Sequence, residues 1–159
     1  MTDTLAVPTA VKTGRSLIHT DLFDRLTARI STEHPELGAD MPARIVDQAL
    51  VFLGACAVAT RPIGPSELVD IGWHTFVLYT VEYRQFCDEI AGRFIEHVPD
   101  DDRPAKPVPP SMPVTLADTV AAIRTAGYRV DPQLWHGDGA DCNSKCNQCH
   151  AGCHDSPRG

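Results

Sequence analysis

The sequence has few aromatic residues, no surplus of positive charge and no long apolar run. Aromatic residues make up 6% of the 159 residues, and hydrophobic residues make up 43%. A core must therefore be built mainly from aliphatic side chains, and the length suits a single domain. The formal net charge is −7. This charge argues against a nucleic-acid-binding protein, because phosphate recognition needs a basic patch.

Two further absences concern the cell compartment. The first residues, MTDTLAVPTAVKTGRS, contain neither a basic start nor an apolar core, so they do not resemble a signal peptide. The longest uncharged run, 48–60, is shorter than the about 20 residues that a membrane span needs. We therefore predict a cytoplasmic protein with no membrane partner. Cytosolic thiols stay reduced, so closely spaced cysteines there indicate metal binding before disulfides.

Strand-like alternation is scarce, and apolar residues recur at helical spacing instead. This spacing predicts helices over 20–34, 40–57 and 115–126. The segment 66–94 also has helical spacing, either as one long helix or as two with a break near 78–81. The sequence therefore predicts an all-α fold, a small bundle of about four to five helices.

Composition divides the chain further. Residues 1–15 look like a flexible N-terminal arm, and 16–135 form the predicted helical domain. Within that domain, 98–114 contain six prolines and no helical period, which indicates an extended strap. Residues 136–159 change to Gly, Asp, Asn and Cys and form a Cys/His-rich tail that we expect to bind metal.

The segment VDIGWHTFVLYTVEYRQFC, residues 69–87, carries the candidate catalytic side chains of the helical domain. Asp70 and His74 are four residues apart, as are Tyr83 and Cys87, so each pair shares one helix face. His97 could return near either pair. Converging Asp, His and Cys side chains would suit a metal site or a cysteine activated by a histidine.

A structural interpretation of the same residues stays open. Asp70 could orient His74 or cap the backbone, and Cys87 could be a small buried hydrophobe. Cys56 lies within an apolar helical stripe and is expected in the core. Trp73 and its neighbour Phe76 are also more typical of a core than of a ligand platform.

The same segment resembles a known family pattern. That pattern has an acidic residue shortly before Trp-His, a Tyr with a Cys four residues later, then a Gly and a His-Pro-type ending. The matching positions here are Asp70, Trp73, His74, Tyr83, Cys87, Gly92, His97 and Pro99. Over roughly 40–135 the chain is similar to the glycine-rich-domain-containing-protein-like family, without the long Gly-rich region that names it. The resemblance implies the helical fold and no particular reaction.

The end of the sequence, CNSKCNQCHAGCH, concentrates soft metal ligands. The candidate metal ligands are Cys142, Cys146, Cys149, Cys153, His150 and His154. Zinc fits them best, because four thiolates, or three with one imidazole, satisfy its tetrahedral preference. The close spacing means that the ion would organise the tail alone. The additional histidines leave room for a second ion or for copper(I).

Other chemistries compete for this tail. The spacing of its cysteines also suits an iron–sulfur cluster, although only six residues follow Cys153, which excludes a radical-SAM enzyme. The segment 146–150 matches the C-x-x-C-H pattern of c-type haem, which we disfavour because that attachment normally occurs outside the cytosol. Without metal, the thiols could be reduced or paired, or the tail could be a peptide that other enzymes modify.

Two functions follow from these patterns. The first is a metal-ion-binding helical protein whose Cys-rich tail holds zinc, with a structural role or a role in docking a protein partner. The alternative is a small metalloenzyme, in which the tail folds back so that its ion meets His74, Cys87 or His97 and keeps one coordination position open. The sequence leaves the choice between enzyme and binding protein open.

Overall fold

The computed structural model describes residues 10–98 and 114–136. Two short 3₁₀ turns, Gly14–Leu17 and Pro35–Leu37, accompany the α-helices. In chain order the α-helices are α1 (Thr20–Glu33), α2 (Met41–Val58), α3 (Glu67–Val77), α4 (Thr80–Ala91), α5 (Leu116–Thr125) and α6 (Pro132–Trp135). The predicted all-α bundle is confirmed. Most of the predicted proline-rich strap and of the Cys/His-rich tail lies outside the described residues.

Helix α2 is the centre of the bundle. It is buried almost continuously from Ile45 to Ala55, and α1, α3, α4 and α5 pack against it. Among the described residues it is the one helix long and apolar enough to cross a membrane, and 61% of it is buried in the fold. Contact with helices on several sides accounts for this composition. The predicted cytoplasmic location stays a prediction.

The contact between α2 and α3 is close because α3 carries a glycine at the crossing. A Cβ atom at Gly72 would lie 2.7 Å from the Cβ of Ala49 and 3.0 Å from Cγ2 of Ile45. Real Cβ atoms almost never approach so closely, so a side chain here would push the helices apart. The glycine in the Asp-Ile-Gly-Trp-His segment therefore sets how near α3 lies to the core.

Local signals place the ends of α3 and α4. Ser66 caps α3, its hydroxyl accepting a hydrogen bond from the Val69 N–H at 3.2 Å. Two residues separate α3 from α4, so the structure takes the predicted alternative with two helices. Gly92 ends α4 in the left-handed region at φ 64°, which favours glycine.

The caps of the other long helices follow the sequence in part. Thr115 and Asp118 form a capping box at the start of α5, and Gly127 follows that helix at φ 87°. Asp40 occupies the N-cap position of α2, but its side chain makes no capping hydrogen bond. Pro42 in the first turn of α2 fits without loss, because the first helical N–H groups have no partner inside the helix.

Lys12 and Gly14, near the end of the predicted N-terminal arm of 1–15, contact the helical domain. The Lys12 N–H donates to the Gly127 carbonyl at 3.0 Å, and the Arg129 N–H donates to the Lys12 carbonyl at 2.8 Å. A side chain at Gly14 would collide with the backbone carbonyl of Asp47. Sequence periodicity misses this pairing because it joins two short segments far apart in the chain.

A buried glutamine fixes the C-terminal end of the described chain. The side-chain oxygen Oε1 of Gln48 accepts hydrogen bonds from the Trp135 indole N–H at 2.7 Å and from the Asp131 backbone N–H at 3.0 Å. Arg44 donates to both oxygens of the Asp131 carboxylate at 2.7 and 2.9 Å, which lowers the pKa of that carboxyl. These bonds hold α6 against the rest of the bundle.

Replacing Gly72 with alanine tests the close helix contact. Overpacking costs about 1–3 kcal/mol and should outweigh the gain of about 1 kcal/mol in helix propensity. We expect a net loss of stability in urea denaturation. Ala49→Gly removes the methyl group that the new Cβ would meet, so Gly72→Ala should cost at least about 0.5 kcal/mol less in that background. A stabilised Gly72→Ala variant would contradict the packing argument.

The ion pair of Asp131 predicts a pH dependence. A carboxyl whose folded-state pKa is lowered adds stability at pH values above its unfolded pKa of about 3.9, and this stability is lost as the pH falls through the folded value. Asp131→Asn removes the charge and keeps a capping oxygen. We expect it to cost about 1–2 kcal/mol at neutral pH and less at about pH 3, below the unfolded pKa of about 3.9.

Urea denaturation at both pH values measures the difference. Asp21→Asn, which breaks an exposed pair with Arg25, is the matched control and should cost clearly less than Asp131→Asn at neutral pH. A pH-independent cost for Asp131→Asn would show that the ion pair does not stabilise the fold.

Candidate functional site

The carboxylate of Asp70 lies between two imidazole rings. Its Oδ1 is 3.1 Å from Nε2 of His97, and its Oδ2 is 3.0 Å from Nδ1 of His74. Nδ1 of His74 is also 3.0 Å from the Asp70 backbone carbonyl. In the tautomers that carry a proton on these nitrogens, both histidines donate to Asp70. One carboxylate thus orients both rings.

Two parts of the chain supply these three side chains. Asp70 and His74 lie one turn apart on α3, as the sequence predicts. His97 comes from the segment after α4, which returns the chain to α3. Side-chain exposure is 13% for His97, 31% for Asp70 and 59% for His74. The group is therefore anchored on the His97 side and open to solvent on the His74 side.

Ring contacts hold His97 in place. Its ring centroid lies 4.3 Å from that of Trp73 and 4.2 Å from that of His74, both in edge-on arrangements. Trp73 itself is buried and packs against Phe52 of α2, with ring centroids 5.2 Å apart. Edge-to-face contacts at these distances are favourable and directional. Trp73 therefore connects the polar group to the core.

A chain of buried hydrogen bonds fixes the segment that carries His97. The indole N–H of Trp73 donates to the Tyr83 hydroxyl at 2.9 Å, and that hydroxyl donates to the Ile95 carbonyl at 2.6 Å. Burial raises the pKa of Tyr83, so the phenol keeps its proton and remains a donor. Since Ile95 is two residues before His97, Tyr83 holds the backbone that positions the second imidazole.

The two cysteines of the helical domain are not among the ligand atoms that converge with Asp70, His74 and His97. Cys87 is completely buried in α4, one turn from Tyr83, and contributes to the raised pKa of that phenol. Cys56 is half-buried near the end of α2 and belongs to the margin of the core rather than to its centre. Among the five predicted candidates, Asp70, His74 and His97 converge, while Tyr83 and Cys87 lie behind them.

The three converging residues could hold a metal ion. One ligand atom from each of Asp70, His74 and His97 lies within 4.8 Å of the others. Imidazole nitrogens and a carboxylate oxygen form a ligand set suited to zinc and to other first-row divalent ions. Two histidines with one carboxylate also leave coordination positions for water or a further ligand. In the absence of an ion, Asp70 and either histidine would suit proton transfer.

The predicted metal ligands of the tail lie outside the described residues. This applies to Cys142, Cys146, Cys149, Cys153, His150 and His154. His136, the last described residue of the second range, is exposed and follows α6 directly. Metal binding by the tail therefore remains a prediction from the sequence.

The sequence analysis named all three members of the Asp–His–His group. It did not predict the hydrogen bonds that hold His97 near the other two. The spacing of Asp70 and His74 predicts a shared face, and His97 was one of the predicted candidates. The Trp73–Tyr83–Ile95 hydrogen bonds had no signal, because Trp73 looks like an ordinary core residue and Ile95 contributes only its backbone carbonyl. A buried Trp and a buried Tyr each need a polar partner, and that requirement could have suggested the pair.

The described residues define a small all-α bundle with an Asp–His–His group at the edge of its core. The UCP032817-like family model matches residues 14–105, which is more than half of the chain. The chain therefore belongs to the UCP032817-like family. The matched range includes α1 to α4 and all three members of the group.

Two other comparisons add no relatives. A search of curated proteins and a search of solved structures found no match. The family match does not bear on the resemblance to the glycine-rich-domain-containing-protein-like family, which stays a prediction.

Replacing Tyr83 with phenylalanine tests the hydrogen-bond chain. The ring stays in place, but the indole N–H of Trp73 and the carbonyl of Ile95 lose a buried partner. Leaving such groups unpaired costs about 1–3 kcal/mol. We expect this loss in urea denaturation, together with faster hydrogen exchange of the Trp73 indole N–H, which loses its acceptor.

Tyr79→Phe is the matched control, because it removes a phenol outside this chain of hydrogen bonds. It should leave both measurements close to those of the parent protein. If Tyr83→Phe is as stable as the parent and its Trp73 indole N–H exchanges no faster, these hydrogen bonds do not hold the segment that carries His97.

Proposed function

We propose that this protein binds a divalent metal ion, zinc first, through Asp70, His74 and His97. The observation that carries the proposal is the convergence of three ligand atoms from two separate segments within 4.8 Å. Helix geometry alone brings Asp70 and His74 together. His97 joins them through the chain reversal after α4, which the buried Trp73–Tyr83–Ile95 hydrogen bonds support.

The distances suit a small ion. Zinc lies about 2.0–2.2 Å from nitrogen and oxygen ligands, so neighbouring ligands in a tetrahedron are roughly 3.4 Å apart. The Asp70–His97 and Asp70–His74 atom pairs are separated by 3.1 and 3.0 Å. Opening these pairs by a few tenths of an ångström would admit the ion. Each imidazole would then present a lone pair at the nitrogen that now faces the Asp70 carboxylate.

The environment supports binding as well as the ligands do. His97 is mostly shielded from water and is fixed by Trp73, so little side-chain freedom is lost when it coordinates an ion. The negative charge of Asp70 attracts a cation to this point. His74, more than half exposed, gives the ion an entry from solvent.

A metalloenzyme is the alternative use of the same site. Three protein ligands leave a fourth position for water, and zinc lowers the pKa of bound water to about 7. Such a water could act as a nucleophile at neutral pH. This alternative depends on His74 and His97 as ligands. Cys87 is buried beside Tyr83 and is not one of the converging ligands.

The Cys-rich tail remains a second proposed metal site, on the strength of its sequence. Four cysteines within 142–153 satisfy zinc by themselves, and His150 or His154 could replace one of them. These ligands would also suit copper(I) or an iron–sulfur cluster, and c-type haem is disfavoured. A tail closed around an ion could also dock a protein partner.

Metal titration of the Asp–His–His group tests the proposal. All four tail cysteines are first changed to serine in the full chain, so that binding reports on the helical site. We expect His97→Ala and Asp70→Asn each to weaken zinc binding at least about tenfold, since even partners of metal ligands contribute that much. Isothermal titration calorimetry measures the affinity.

His34→Ala is the matched control. His34 also lies 3.2 Å from a carboxylate, that of Glu36, but no third ligand joins that pair among the groups found in the described residues. Its zinc affinity should equal that of the parent. Equal affinity of the His97→Ala, Asp70→Asn and His34→Ala variants would refute a metal site at Asp70.

His74→Ala in the unmodified full chain separates the two proposed sites. If the tail holds the tightly bound ion alone, metal content after purification stays unchanged. If the helical site participates, metal content falls. Elemental analysis per chain gives the answer, with His34→Ala again as the control.

A further inference from the structure

Hydrogen bonding determines which nitrogen of the His74 ring carries the proton. Two oxygen atoms face Nδ1 of His74, the Asp70 backbone carbonyl and Oδ2 of the Asp70 carboxylate, each at 3.0 Å. A carbonyl and a carboxylate only accept hydrogen bonds, so Nδ1 carries the proton and donates it to both. In a neutral imidazole the other ring nitrogen, Nε2, then holds the lone pair. Asp70 therefore selects the tautomer of His74.

The second histidine keeps the Asp70 carboxylate directed at His74. The other carboxylate oxygen, Oδ1, is 3.1 Å from Nε2 of His97, whose side chain is only 13% exposed. His74 itself is 59% exposed. A lone pair on an exposed nitrogen can attack an electrophile, and a carboxylate behind the ring stabilises the positive charge that the ring then gains. The group thus has the arrangement of an activated nucleophile that faces solvent.

The surroundings of His74 favour an uncharged, apolar electrophile. Leu78 is four residues after His74 and keeps a helical backbone at φ −66° and ψ −24°, so it shares the helix face of His74. This leucine is 59% exposed and offers an apolar surface one turn away. The negative charge of Asp70 repels an anionic group such as a phosphoryl group. An uncharged acyl donor fits both features.

We propose that Nε2 of His74 in the ion-free protein is a nucleophile toward uncharged acyl donors, and that an ion bound at Nδ1 stops this reaction. Nε2 attacks the acyl carbon, and the bond from that carbon to the leaving oxygen breaks. The acylated ring gives its Nδ1 proton through solvent to the departing oxyanion. Water then hydrolyses the acyl-imidazole to a carboxylic acid and restores the ring, with no change of oxidation state. Asp70 and His97 are positioning residues.

The effect of the ion rests on the proposed function. An ion bound between the three side chains takes the lone pair of His74 at Nδ1, the nitrogen that faces Asp70. The neutral ring then carries its proton on Nε2, which has no lone pair left for attack. Metal binding and acyl chemistry at His74 therefore exclude each other, and the ion regulates the nucleophile.

Labelling with diethyl pyrocarbonate, an uncharged acyl donor, tests the nucleophile. The full chain with all four tail cysteines changed to serine is treated with a chelator and labelled at about pH 8, where the reference imidazole is neutral. Peptide mass spectrometry gives the rate at each histidine. His19 is the internal control, because it is also exposed and its side chain has no hydrogen bond or ion pair within the described residues. We expect His74 to react at least about tenfold faster than His19.

Asp70→Asn should remove most of this advantage and leave the rate of His19 unchanged. Nitrogen NMR of the ring separates orientation from a merely structural role. We expect a protonated Nδ1 and an unprotonated Nε2 in His74 of the ion-free parent, and a mixture of both tautomers in Asp70→Asn. Urea denaturation shows whether the variant keeps its fold.

Ester hydrolysis tests the class of acyl donor. The ion-free protein should release p-nitrophenolate from p-nitrophenyl acetate and, relative to free imidazole, favour p-nitrophenyl butanoate, whose longer chain can contact Leu78. His74→Ala should abolish the reaction above background, and Leu78→Ser should remove the preference for butanoate. His19→Ala is the matched control and should hydrolyse both esters like the parent.

Equal labelling of His74 and His19 overturns the nucleophile. Ester hydrolysis that depends on His74 without labelling of its ring overturns it as well, since His74 then acts as a general base.

Added zinc distinguishes this inference from the proposed function. We expect zinc to lower the labelling rate of His74 at least to that of His19, and to protect it less in His97→Ala. If calorimetry shows binding that depends on His97 while His74 stays reactive, the ion does not stop the reaction and the metal site stands. If zinc does not bind, the proposed function fails, and the rates in the ion-free protein still decide the nucleophile.

Discussion

The contact between α2 and α3 at Gly72 determines where the whole candidate site lies. Because no side chain separates the helices there, α3 lies directly on Ala49 and Ile45. Asp70 and His74 belong to the part of α3 next to this crossing, and Trp73 points from it into the core against Phe52. A rigid helix contact thus places two of the three polar groups, without contribution from any loop.

Buried hydrogen bonds position the third side chain of the site, His97. Trp73 and Tyr83 are aromatic core residues whose polar atoms need partners, and each satisfies the other before the chain reaches the Ile95 carbonyl. The segment that carries His97 is thereby attached to the core two residues before the imidazole. Core packing and site geometry depend on the same side chains, so a change in either alters the other.

The sequence predicted the fold class because helical spacing and capping residues are local signals. Ser66, Thr115, Gly92 and Gly127 mark helix ends by conformational preferences that act over a few residues. The pairing of Lys12 with the segment after α5 is non-local, and periodicity carries no information about it. The contacts of Lys12 therefore could not be predicted from the sequence.

The sequence predicted the three residues of the candidate site as candidates. It did not predict that these three would lie together. Spacing of four residues joins Asp70 to His74, and the same rule joins Tyr83 to Cys87. Only the tertiary structure selects His97 as the partner of the first pair. Cys87 is excluded from the group because its helix face turns into the core, which no pattern in one sequence distinguishes from a face turned toward a ligand.

The central claim is that an ion binds between Asp70, His74 and His97. X-ray absorption spectroscopy of the zinc-loaded full chain tests it most directly, because nitrogen and oxygen ligands lie about 2.0–2.2 Å from zinc and sulfur lies about 2.3 Å away. At one equivalent of zinc, the account predicts a first shell that includes three nitrogen or oxygen neighbours, from Asp70, His74 and His97. A shell of four sulfur atoms would contradict it, because the tail would then hold the ion by itself.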